Sequence, residues 1–355
     1  MEGTMRAMVT VAPKKFELQQ VPIPKCGPDE VLLKTLYAGV CGSDFPIYNK
    51  GLMIPGFPWI QGHEASTVVV EIGKDLVEPL SKQGVKVGSR VVGVTDGLGV
   101  RMHGCFAEYF IVNKINVAGA IVPLADNVND LDGAVLECMM NAGIWYKKPN
   151  AQPGMKIVII GAGIQGLGLV MTLKNKIENI EIAVVDYSPL RLHLAKQMGA
   201  DHVFNPSVDG DPLDCIIKLW GNVEFRHHRG ERVSGNADIV YECSGNTKAW
   251  TQAIEMCKIK GKMCSIGIYK EMAEINPLWI LFKQVELLGG IDGDPFGPAA
   301  DMAAGKLPVD KLVTHVFPLE EMEKAFEVAQ DPLRAGKVLI KVNQSIPDYP
   351  YNKQD

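Results

Sequence analysis

Apolar and polar positions follow two different rhythms along this chain. Up to about residue 147, short runs such as Val31-Leu32-Leu33-Lys34-Thr35, Ser66-Thr67-Val68-Val69-Val70-Glu71 and Arg90-Val91-Val92-Gly93-Val94 are separated by Gly and Pro. Runs of this length, rich in β-branched residues and bounded by turn formers, predict short strands and a mostly β region. Farther on, continuous apolar strands are expected at 156–160, 181–186, 201–204, 238–243, 262–266 and 285–288. Helices are expected between most of them, at 164–176, 189–198, 212–220 and 248–257. Strands alternating with helices imply parallel strands covered on both faces. Unbroken apolar runs agree, because such strands are buried on both sides.

After about Gly290 no further strand–helix–strand unit is expected. Residues 298–305 and 319–330 read as helical, and 336–342 as a final strand. The tail is expected to return to the first region. The fold class is then α/β: a Rossmann-type, doubly wound parallel sheet over 149–289, and a mostly β domain from 1–148 with 290–355.

Composition narrows the picture. The 355 residues are enough for two domains, at roughly 150 residues each. A net charge of −5 gives no support to nucleic acid or an anionic membrane surface as a partner. The first 16 residues lack an apolar core followed by a small-residue cleavage site, so no secretory signal is read. No apolar run approaches the roughly 18 residues that span a bilayer. The eight cysteines are scattered and form no C-x-x-C pair, which gives neither a four-cysteine zinc site nor a redox motif. Most read as reduced, buried small hydrophobes, and the cytoplasm is the expected compartment.

Two clusters carry chemistry. Gly161-Ala162-Gly163-Ile164-Gln165-Gly166 follows an expected strand and opens an expected helix. Gly161 permits a tight turn, Gly163 lets backbone approach a pyrophosphate, and Gly166 lets helix pack closely on strand. The helix N-terminus offers free N–H groups to phosphate. Asp186 ends the next strand, 20 residues after Gly166. A carboxylate there accepts from an adenosine ribose and repels a 2′-phosphate, which favours NAD over NADP. Arg191 is either a residue over that ribose or a solvated helix-face charge.

The second cluster lies in the β region: Cys41, followed by Ser43-Asp44, and Gly62-His63-Glu64. Cys41 and His63 are 22 residues apart, too far for a finger-type site, so residue type carries the reading. A thiolate and an imidazole are good zinc ligands, each in a glycine-rich turn. Glu137 and Cys138 are candidates for a third ligand. Three protein ligands and one open position make a catalytic zinc rather than a structural one.

In this order, Gly39–Asp44 (GVCGSD), Gly62–Glu64 (GHE), Gly88–Val92 (GSRVV), Gly104–Tyr109 (GCFAEY), the glycine turn, Glu242–Gly245 (ECSG) and Leu312–Leu319 (LVTHVFPL) resemble the medium-chain, zinc-dependent alcohol and polyol dehydrogenases. Sorbitol, sugar and threonine dehydrogenases look nearest. The resemblance implies that the β domain is GroES-like and catalytic. It implies that Cys41 and His63 are zinc ligands and that Ser43 hydrogen-bonds the substrate oxygen and passes on its proton. Asp44 would orient the ligand histidine, and Glu64 would be a carboxylate able to enter or leave the metal's coordination. Ser244 and Gly267 would lie beside the cofactor. Ungapped spacing from Gly161 puts Glu137, rather than Cys138, at the polyol-type third ligand.

Two departures matter. Only Cys105 falls where many relatives carry a four-cysteine structural zinc loop, so one catalytic zinc per chain is expected. Pro46 stands where a relay histidine often follows the ligand cysteine, which sends the proton's exit through the ribose hydroxyl to water. The expected activity is zinc-dependent, NAD-linked, reversible oxidation of a secondary alcohol or polyol by a homodimer or homotetramer. Two alternatives compete: a zinc-free quinone or enoyl-type reductase on the same fold, which needs no ligand set, and a non-catalytic NAD-binding protein. Phe45 to Trp59, 101–106 and 291–296 are expected to line the substrate pocket. Gly221 to Asn236 is expected to be an exposed basic loop.

Overall fold

The computed structural model describes residues 2–94, 96–113, 120–227, 230–290 and 293–354. Ile291, Asp292, His228 and Arg229, singled out above, lie outside the described residues. Contacts divide the chain into two units, Met1–Met140 with Pro295–Asp355, and Asn141–Asp294. In chain order the strands are β1 (Thr4–Ala12), β2 (Lys15–Pro22), β3 (Val31–Gly39), β4 (Glu64–Ile72), β5 (Arg90–Val94), β6 (Tyr109–Val112), β7 (Ala120–Pro123), β8 (Lys156–Ile160), β9 (Glu181–Val185), β10 (His202–Phe204), β11 (Val223–His227), β12 (Gly230–Ser234), β13 (Ala237–Glu242), β14 (Cys257–Ser265), β15 (Glu286–Leu288), β16 (Val313–Pro318) and β17 (Lys337–Lys341).

The first unit is built on a seven-stranded sheet of order β16-β17-β3-β4-β5-β7, with β6 also pairing β3. Its pairs are antiparallel except β16 with β17. Inward positions such as Leu33, Val69, Val91, Phe106 and Ile121 meet the helix residue Phe326 in one core. Burying each such side chain contributes about 1.5–3 kcal/mol. The C-terminal tail differs from expectation. β16, the helix Met322–Gln330 and β17 form a strand–helix–strand unit with parallel strands, where none was expected after Gly290. Val313 to Pro318 carries a strand pattern inside a stretch read only as a motif, and the amphipathic helix after it covers the crossover.

The second unit has a six-stranded parallel sheet of order β10-β9-β8-β13-β14-β15. The strand order reverses between β8 and β13. In an open doubly wound sheet that switch point opens a crevice at the strands' carboxyl ends, the usual place for a dinucleotide. β8 and β9 are buried on both faces, as their apolar runs require. Helices here start on side-chain caps followed by Pro: Ser188 before Pro189, Asp211 before Pro212 and Asn276 before Pro277. The 221–236 segment is not an irregular loop. β11 and β12 pair as an antiparallel hairpin. The alternation Val223-Glu224-Phe225-Arg226 has the period of two that a strand needs, and the nearby charges obscured it.

Candidate metal centre and cofactor turn

Strand register brings the metal candidates together. In the antiparallel pairing of β3 with β4, Gly39 lies opposite Glu64. Cys41 follows Gly39 by two residues and His63 precedes Glu64 by one, so both leave the same end of one strand pair. Gly62 supplies the turn before His63 at φ +95°, where a side chain would be strained and would also meet the Phe106 ring at 2.7 Å. Beyond Cys41 the chain turns into the helix Asp44–Lys50. Asp44 closes that turn by accepting from the Cys41 N–H at 2.9 Å.

Cys41, His63 and Glu64 present ligand atoms within 4.8 Å of one another, and Glu64, Glu137 and Cys138 form a second such trio. Glu137 and Cys138 sit in the first turn of the helix Leu136–Trp145. Glu64 is common to both trios. The buried Asp44 carboxylate stands 3.6 Å from His63 Nδ1, which leaves Nε2 as the ring nitrogen for a metal. Ser43 Oγ lies 3.5 Å from that Nε2. Thiolate, imidazole and carboxylate donors converging in this way fit a tetrahedral zinc ion with a position left open. A zinc-free site would have no need of such a set.

Charge at the centre is balanced by a residue the sequence reading passed over. Lys337, at the start of β17, is buried and pairs with the buried Glu64 carboxylate. Its Nζ also donates to the Val40 carbonyl at 3.0 Å. Burial opposes charge on Glu64, but Lys337 and His63 outweigh it and hold the carboxyl below its ordinary range. The Cys138 thiol donates to Glu64 Oε1 at 3.0 Å, and burial pushes its pKa well up. Burial also raises the Glu137 carboxyl. For His63, burial works to lower the pKa, yet Cys41 and Asp44 raise it well above its usual value. A dication in place of that proton would satisfy the same anionic surroundings.

The glycine turn lies in the second unit. Gly161 has φ +96°, and a Cβ there would strike the Ser244 backbone nitrogen at 2.8 Å. A Cβ on Gly166 would overlap the Gly161 carbonyl oxygen. Gly163 caps the helix Ile164–Lys176 and faces open space, a cradle that any side chain would fill. This fits backbone approach to a pyrophosphate, with Ile164 and Gln165 opening the helix. Asp186 sits at the end of β9 and accepts from Ala162 N–H and Ser188 N–H, both at 2.7 Å. Arg191 lies in the first turn of the helix Pro189–Gln197. Ser244 abuts Gly161, while Gly267 packs on the Gly245 backbone and donates to the Glu242 carbonyl.

Several expected pocket residues are engaged elsewhere. Phe45 packs edge-on to Phe326 at 5.8 Å. Arg101 pairs with Asp96, and Asp294 with Lys147 at 3.8 Å. Trp59 packs against His103 and lines an apolar cavity of about 510 Å³ that none of Cys41, Ser43, His63 or Glu64 lines.

Residues 27–124 match the alcohol dehydrogenase GroES-like domain, and residues 166–302 the zinc-binding dehydrogenase domain. The L-threonine 3-dehydrogenase of Legionella pneumophila (strain Corby) is 28% identical over 351 residues, covering 91% of this chain and 95% of its own. The crystal structure of 2R,3R-butanediol dehydrogenase from Bacillus subtilis superposes with a TM-score of 0.80 at 26% identity, covering 96% of this chain and 100% of that one. An alcohol dehydrogenase of Escherichia coli CFT073, solved with NADH, has a TM-score of 0.80 at 22% identity over 96% of this chain and 99% of its own, a likeness of fold. The chain belongs to the zinc-dependent medium-chain dehydrogenases. It is a dehydrogenase of the zinc-dependent alcohol type, an oxidoreductase. Among the described residues, no helix is long and apolar enough to cross a membrane.

Proposed function

We propose that the protein catalyses reversible hydride transfer between a small secondary alcohol and NAD. The observation that carries this reading is the convergence of Cys41, His63 and Glu64 within 4.8 Å. The relatives' names support a secondary alcohol, since carbon 3 of threonine and carbons 2 and 3 of butanediol bear their hydroxyls between two carbons. NAD rather than NADP rests on Asp186, whose carboxylate would repel a 2′-phosphate.

Cys41 and His63 would hold the zinc, with a carboxylate from Glu64 or Glu137 as third ligand. The Cys138 sulfur is engaged as a donor to Glu64, which favours a carboxylate over that thiol. When bound, zinc supplies Lewis acidity, lowering the pKa of the substrate hydroxyl and stabilising negative charge on its oxygen. Asp44 fixes the His63 ring from its Nδ1 side. Ser43 Oγ, beside Nε2, would accept the hydroxyl proton as it releases its own toward solvent, since Pro46 carries no group that can transfer a proton. Lys337 compensates Glu64, so the centre does not carry an unpaired buried anion.

The Cys41→Ala variant tests the assignment. It is expected to lose zinc by metal analysis and alcohol-dependent NADH formation, while binding NADH about as tightly as the parent. Full zinc and activity in that variant would remove the site. A panel of polyols, amino alcohols and simple secondary alcohols then identifies the substrate.

A further inference from the structure

Glu242 ends β13 with a fully buried carboxylate and, among the described residues, no cation paired with it. Four donors surround it instead. Ser244 N–H and Gly245 N–H reach it at 2.8 and 3.2 Å, and the hydroxyls of Ser244 and Tyr269 also donate to it. A file of donors feeds Tyr269: Trp250 Nε1 donates to Ser265 Oγ at 3.1 Å, and Ser265 Oγ donates to the Tyr269 hydroxyl at 3.2 Å. The Glu242 main-chain carbonyl accepts from the Ile266 and Gly267 N–H groups, each at 2.9 Å. One residue thus ties the turn after β13 to the turn after β14.

The two turns touch backbone to backbone. A Cβ on Gly267 would meet Gly245 N and lie 2.6 Å from Glu242 Oε2. A Cβ on Gly245, at φ +69°, would meet the Ile268 carbonyl at 2.6 Å. Ser244 in turn abuts Gly161, the first glycine of the phosphate turn. Both turns lie at carboxyl ends of strands in the second half of the sheet. In a doubly wound fold that half serves the second mononucleotide, and the first half the adenosine.

We propose that Glu242 is a positioning residue, with Tyr269 as its partner: the carboxylate clamps the 244–245 and 267–269 turns into the floor that receives the nicotinamide half of the cofactor. This rests on the NAD reading above. A buried carboxylate suits the task because it accepts several hydrogen bonds at once from groups that point inward from both turns. Glu242→Gln keeps the shape but turns one acceptor into a donor facing donors, which leaves buried N–H or O–H groups unmatched.

The test separates the two halves of the nucleotide. Affinities for NADH and for ADP-ribose, which lacks nicotinamide, are measured by calorimetry on the parent, Glu242→Gln and Tyr269→Phe. Weaker NADH binding by about tenfold or more in Glu242→Gln, and by about threefold or more in Tyr269→Phe, is expected. ADP-ribose affinity is expected to stay within about twofold of the parent, since the adenosine half is read by Gly161 to Gly166 and Asp186. Equal losses for the two ligands, or unchanged NADH affinity in Tyr269→Phe, overturn the proposal. Should Glu242→Gln fail to fold, Tyr269→Phe decides alone, because removing one hydroxyl leaves the carboxylate three donors. A parent protein that binds ADP-ribose but not NADH also overturns it, and one that binds neither overturns the cofactor reading itself.

Discussion

Gly39 shows how closely single residues at the metal centre are matched. A Cβ there would overlap Glu64 Oε2 and approach Lys337 Cε at 3.0 Å, so only glycine leaves room for the buried ion pair. Gly39→Ala is expected to lower stability by about 2 kcal/mol or more, read as a lower Tm, and to reduce zinc content with it. Asp186 is matched in another way, holding the glycine turn through Ala162 N–H while keeping further lone pairs for a ribose. Asp186→Ser is expected to shift the ratio of kcat/KM for NAD to that for NADP by about tenfold or more toward NADP. Cys41 and His63 were legible because thiolate and imidazole are good zinc ligands, the glycines because a tight turn and close backbone approach need them, and Glu64 through the family resemblance. Lys337 was not: a lysine opening the strand Lys337–Lys341 gives no sign that it is buried until β17 is seen beside β3.

Element boundaries show the same division. The helix Pro212–Trp220 starts and stops where its pattern puts it, between the cap Asp211 and Gly221. The helix Pro277–Lys283 was missed, although Asn276-Pro277 is the same kind of start; its seven residues are too few for apolar periodicity to stand out. That helix carries a second buried lysine. Lys283 Nζ donates to the Glu255 carbonyl at 3.0 Å and also to the Ile254 carbonyl, in the last turn of the helix Thr247–Met256. Burial lowers its pKa from 10.5 to about 8. The folded pKa is depressed, so this group's contribution to stability is complete above pH 10.5 and is lost as pH falls through about 8. The stability of the parent relative to Lys283→Met should therefore rise between pH 8 and pH 10. The rise should be on the order of 2 kcal/mol, measured by denaturant unfolding at each pH. A flat difference would contradict it.

For the whole molecule, metal and assembly follow from features at opposite scales. None of the eight cysteines is in a disulfide, and Cys138 is engaged as a donor to Glu64. Metal analysis is expected to return one zinc per chain of 38.7 kDa, lost on treatment with a strong chelator together with turnover. The edge strand β15 carries exposed Glu286 and Leu287, and an open apolar edge favours pairing. Light scattering is expected to give a dimer or tetramer, and Leu287→Lys to shift it toward monomer. By itself the sequence determined the two domain folds and the glycine turn, and it named candidate metal donors. Those depend on local period, on the backbone freedom of glycine and on the chemistry of single side chains. Tertiary structure alone decided that Glu64 stands between two candidate trios, that Lys337 neutralises it, and that Glu242 joins two turns. Each depends on strand register, which sets contacts between residues tens to hundreds of positions apart and leaves no mark on the chain near either one.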